Sequence, residues 1–137
     1  MRVNGYRAWL TLVWTACFVF ALLGALYMRW FAAVGPTASS KIFELILSQY
    51  APYLGAIVGF QFATQKTAKR AGAKATPFVV AIVMSGLWNL TLLGFVVQAC
   101  LDTNTTEASI SDITAIVPKL SWIVAPAIGF FFGKPAS

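Results

Sequence analysis

Four stretches of the chain are apolar almost without interruption, and polar positions collect between them. Trp9 to Tyr27 is the first. At 1.5 Å per residue it is long enough to cross a hydrocarbon core of about 30 Å. Ile42 to Ala63 is the second stretch, about Pro77 to Leu101 the third, and about Ile113 to Gly133 the fourth. Backbone amides in lipid must be satisfied within their own segment, so each stretch is predicted to be a transmembrane helix. Tyr6 and Trp9 at one end of the first helix, and Tyr27 and Trp30 at the other, suit the two interfacial aromatic belts. This stretch also exceeds the apolar core of a cleaved signal peptide, which runs to about 7–15 residues.

The separating segments are a turn at Gly35–Ser40, with Ser40 as its helix cap, a polar stretch from Thr64 to Thr76, and an acidic loop from Asp102 to Asp112. Pro77 suits a first helical turn. Too few apolar residues follow Pro52 to cross a bilayer alone. Pro52 therefore falls inside the second helix, where a kink is expected. Pro118 and Pro126 are expected to break the fourth.

Small residues recur every fourth position at Ala51, Gly55, Gly59 and Ala63, and again at Ser121, Ala125, Gly129 and Gly133. Such a line lets another helix backbone approach closely, so both ladders are predicted to pack against helices, either with both at the centre of the four-helix unit or with one inside the chain and the other between copies. The motif Ala-Pro-x-x-Gly-x-x-x-Gly begins at Ala51 and returns 74 residues later at Ala125. The same offset pairs Trp14 with Trp88, Ala25 with Ala99 and Ile42 with Ile116. A helical hairpin used twice is the natural reading.

The expected fold is all-α and integral to the membrane. Four transmembrane helices form two parallel helical-hairpin repeats, related by a pseudo-two-fold along the membrane normal. Residues 1–137 make a single transmembrane domain. Repeat 1 covers about 1–63, a basic cytoplasmic linker about 64–76, and repeat 2 about 77–137.

Charge adds orientation. Only 10% of the 137 residues are charged and 59% are hydrophobic, far from the balance of a soluble domain. The N-terminal segment, the middle linker and the C-terminal tail carry Arg2, Arg7, Lys66, Lys69, Arg70, Lys74 and Lys134 without an acid. Glu44, Asp102, Glu107 and Asp112 all fall on the other side, with Arg29, Lys41 and Lys119. The positive-inside rule then puts both termini and the linker in the cytoplasm, as in a multi-pass protein of a bacterial plasma (inner) membrane. The net charge of +6 reports topology, and no nucleic-acid partner is expected.

Candidate chemistry is sparse. Histidine is absent, which removes most metal and general-base chemistry, and no cofactor, metal site or enzymatic activity is expected. Cys17 and Cys100 lie inside apolar runs and read as packing residues. Asn104-Thr105-Thr106 matches a glycosylation acceptor, which matters only in a eukaryotic secretory pathway.

Thr11 and Thr15 on the first helix, with Ser85 and Asn89 at the matching places on the third, form polar pairs near mid-membrane. They read as a pore or polar lining, or as hydrogen bonds that lock the bundle. Glu44 aligns with Pro118, so Glu44 and Lys119 are expected at nearly equal depth, where pairing relieves two costly charges. Lys66, Lys69, Arg70 and Lys74 are placed to contact anionic lipid or a larger protein partner at the cytoplasmic loop.

The leading expectation is a self-associating, homo-oligomeric channel or pore-forming subunit, a class that includes regulated membrane effectors. The alternatives are an anchoring or assembly subunit of a larger complex, and a small transporter with a midplane site around Asn89.

Overall fold

Each apolar stretch forms one helix. The computed structural model describes residues 3–32, 34–64 and 75–132. Helices α1 (Val3–Trp30), α2 (Pro36–Thr64), α3 (Ala75–Leu101) and α4 (Thr106–Phe132) follow one another, with a short 3-10 turn at Thr103–Thr105. All four are long and apolar enough to cross a membrane.

Two boundaries differ from expectation. Residues Pro36 to Ser40 are helical and not a turn. Pro36 stands at the first helical position, where its fixed φ suits the helix and its missing N–H is no loss. Ser40 is therefore not the cap. At the start of the helix Ser39 donates its N–H to the Gly35 carbonyl at 3.1 Å and its hydroxyl to the Pro36 carbonyl at 3.1 Å. Between α3 and α4, Asp102 accepts from the Asn104 backbone N–H at 3.0 Å, and α4 starts at Thr106. Pro118 and Pro126 do not break α4, and Pro52 lies within an unbroken α2. A proline removes one backbone donor, and packing against neighbouring helices can hold the remaining turns in place.

The helices form a ring. α1 packs on α2 and α3, and α4 packs on α3 and α2. α1 and α3 run parallel. Tyr6 stacks on Phe78 at 4.2 Å near their starts, and Gly24 meets Val96 near their ends. This order corrects the expected symmetry. A pseudo-two-fold along the membrane normal sets α1 diagonally opposite α3, yet here they are neighbours. The step from α1 to α2 also turns round the ring in the opposite sense to the step from α3 to α4. The hairpins share their up-and-down sense, but no such two-fold relates them.

The core has its own register. Leu10, Trp14, Ala21, Ala25 and Met28 are buried in α1, and 71 residues later so are Ala81, Ser85, Leu92, Val96 and Ala99 in α3. Ser39, Ile42, Ile46, Tyr53 and Ile57 in α2 match Ile110, Ile113, Val117, Val124 and Ile128 in α4 at the same offset of 71. The identity match at 74 is thus out of step with the packing by three residues, almost one helical turn. Pro126 accordingly matches Gly55 and not Pro52.

Outside, the bundle is apolar. Leu12, Val19, Phe20, Leu23, Val83 and Leu90 are all exposed. An exposed apolar surface of this extent marks contact with lipid or with other helices.

Candidate functional site

The centre of the bundle is aromatic and polar. Trp14 of α1, Tyr50 and Tyr53 of α2, and Trp88 of α3 are buried together. Their step along each helix explains why. Tyr50 and Tyr53 continue the buried spacing Ile42, Ile46, Tyr50, Tyr53, Ile57, which keeps one helix face inward. Trp14 lies 5.1 Å from Trp88 and 4.8 Å from Tyr53, and Tyr50 meets Trp88 edge-on at 5.1 Å. At these centroid distances the rings are in contact, and they fill the bundle axis at that level.

Polar atoms at the ring tips are bonded across helices. Tyr50 donates its hydroxyl to Asn89 Oδ1 at 2.8 Å, and Asn89 Nδ2 donates to the Ser85 carbonyl at 2.8 Å. The Trp88 indole N–H reaches Ser121 Oγ at 3.2 Å, and Ser121 itself donates to the Val117 carbonyl at 3.1 Å. The cluster therefore ties α2 to α3 and α3 to α4. Trp14 Nε1 and Ser85 Oγ are buried without a hydrogen-bond partner among the described residues. Leaving such groups unpaired in an apolar interior costs about 1–3 kcal/mol each on mutational scales.

The expected polar lining does not gather on one face. Ser85 and Asn89 are sealed in the core, at 0% and 1% exposure. Thr15 is exposed on α1 and Thr11 is half-buried, its hydroxyl donating to the Arg7 carbonyl at 2.9 Å. Both threonines line an open groove of about 710 Å³ on the outside of α1, with Leu12, Val19 and Leu23 among its walls. The pairs aligned in sequence therefore lie in different environments. The 71-residue register places Ser85 opposite Trp14, not Thr11.

The small-residue ladders are turned outward. Ala51, Gly55, Gly59, Ala125 and Gly129 are exposed, and Ser121 is half-buried. A Cβ on Gly55, Gly59 or Gly129 would meet nothing within 4 Å. This corrects the expectation that the ladders pack against helices, as far as helices of the same chain are concerned. The physical reason is the central cluster. Large rings occupy the inside of α2, so its small residues face away. The close approach inside the bundle is made by Gly24, where a Cβ would lie 2.7 Å from Val96 Cγ1. Cys100 donates its thiol to the Gly24 carbonyl at 3.5 Å beside it. No ladder in the sequence marks Gly24. Ala63 is helical, but its side chain, Gly133 and the basic residues Lys66, Lys69, Arg70 and Lys74 lie outside the described residues.

Glu44 and Lys119 are both exposed, and no ion pair joins them among the described residues. Register is again the cause. Glu44 lies two residues past Ile42, whereas Lys119 lies six past the equivalent Ile113. At 1.5 Å per residue Lys119 lies about 6 Å further along its helix from the shared register position than Glu44 does. At the opposite end Arg7 sits 4.3 Å over the Phe60 ring, joining the start of α1 to the end of α2. Among the described residues no three His, Cys, Asp or Glu side chains converge as metal ligands would.

Fold and site together define a class, a four-helix bundle with membrane-length apolar helices, an aromatic–polar centre and small residues on its outside. Comparison with protein-family models, curated proteins and solved structures finds no match for this chain.

Proposed function

We propose that this chain is a self-associating subunit embedded in a bacterial inner membrane. Its two ends and its basic linker face the cytoplasm. The observation that carries the reading is the outward glycine line of α2. Gly55 and Gly59 have open space where a side chain would be, in a helix whose other face is tightly filled. Lipid tails give no hydrophobic drive for helices to associate, so association rests on close backbone packing of this kind. A pore made by such an assembly runs between copies, because the rings of Trp14, Tyr50 and Trp88 close the centre of each bundle.

The test is the mass of the particle extracted in detergent or nanodiscs, read as copy number. A defined multiple of the 14.8 kDa chain is expected. Gly55→Leu and Gly59→Leu are expected to reduce the copy number without loss of helicity. A strictly monomeric particle would refute self-association. Stoichiometric co-purification of a different protein would assign the same face to an assembly role instead.

A further inference from the structure

The outward faces of α2 and α4 are complementary in both charge and shape. On α2, Lys41, Glu44, Ala51 and Gly55 follow one another at helical spacing along one exposed stripe. On α4, Asp112, Lys119 and Trp122 form a second stripe, with Asp112 half-buried and the other two exposed. In the 71-residue burial register set by Ile42 and Ile113, Lys41 holds the same position as Asp112. Going inward, α2 presents a cation and then an anion, and α4 presents an anion and then a cation. None of these four charges is in an ion pair among the described residues. Shape follows the same register. Trp122 is 84% exposed and holds the register position of Ala51, one turn before Gly55, where a Cβ would meet nothing within 4 Å.

We propose that α2 of one copy docks on α4 of the next. Lys41 pairs with the neighbour's Asp112, Glu44 pairs with its Lys119, and its Trp122 fills the groove at Ala51 and Gly55. This rests on the self-association reading and adds which faces meet. Both helices run the same way across the bundle, so copies of one orientation bring them together in parallel. The long Lys119 side chain leans toward the start of α4 and closes the step along the helix to Glu44. An unpaired charge inside an apolar span is costly, and pairing across copies removes that cost for two residues at once. The two faces lie on different helices, so the contact is head-to-tail and repeats from copy to copy.

The experiment is charge exchange with a cysteine pair beside it. Glu44→Lys alone and Lys119→Glu alone are expected to lose the oligomer, and the double exchange to restore it. In a Cys17→Ala, Cys100→Ala background, chains carrying Ala51→Cys are mixed with chains carrying Trp122→Cys. An oxidative cross-link is expected in the mixture and in neither chain alone. Should the double exchange fail to restore an oligomer that the single exchanges lose, the charge pairing is wrong. Cross-links between Ala51→Cys chains alone overturn the α2-to-α4 contact while leaving self-association standing. A monomeric unsubstituted chain overturns both.

Discussion

Tyr50 donates its hydroxyl to Asn89 Oδ1 at 2.8 Å, from α2 to α3, two helices that stand diagonally opposite in the ring. The bond crosses the axis that a conducting path through a single bundle would use. Both residues are buried, so neither has water to fall back on.

Removing one partner of that bond is predicted to hurt more than removing both. Tyr50→Phe leaves Asn89 Oδ1 unpaired and is expected to cost about 1–3 kcal/mol. Asn89→Leu strands the Tyr50 hydroxyl at a similar cost. The double variant is expected to recover most of the loss. Unfolding in mixed micelles, read as a double-mutant cycle, measures the coupling.

The two central tryptophans are predicted to be unequal. Trp88 donates its indole N–H to Ser121, whereas Trp14 Nε1 has no partner among the described residues. Trp88→Phe should therefore destabilise the chain more than Trp14→Phe, by about 1 kcal/mol for the lost hydrogen bond. Equal losses in the same unfolding assay would show that ring volume alone matters.

Glycines should divide by location. Gly24→Ala drives a Cβ to 2.7 Å from Val96 Cγ1, on a β-branched side chain with little freedom to turn away. A loss of about 1–3 kcal/mol is expected, and adding Val96→Ala is expected to relieve it. Gly55→Ala and Gly59→Ala meet open space, so folding of the single chain should be unchanged or slightly favoured.

The Asp102 carboxylate accepts from the Asn104 N–H and holds the α3–α4 connection. Asp102→Ala is expected to cost about 0.5–2 kcal/mol, the usual value of such a cap. Faster amide exchange confined to Thr103–Thr106 is the readout, with the central cluster unaffected.

Some of the site could be read before any packing was known. Trp14 and Trp88 stood out as a matched pair, and they do meet at 5.1 Å. Asn89 stood out as an amide needing a partner, and it has two. Tyr50 and Tyr53 were missed, although their spacing from Ile42 and Ile46 carries the inward phase of α2. The ladders' partner could not be read from the sequence, because smallness shows that a helix can be approached closely, not by which helix; within this chain no helix approaches Gly55, Gly59 or Gly129.

What the sequence determined was the number of helices and their span. That follows from length and hydrophobicity, because long apolar stretches divided by polar segments carrying Gly and Pro form helices that satisfy their own backbone hydrogen bonds. The tertiary structure alone decided which face of each helix turns inward and in what register. A soluble helix shows its inner face by contrast with a polar outer one, but these helices are apolar all round. The choice fell to the volumes of Trp14, Tyr50, Tyr53 and Trp88 and to the hydrogen bonds at their tips. Those rings took the centre and left Gly55 and Gly59 on the outside.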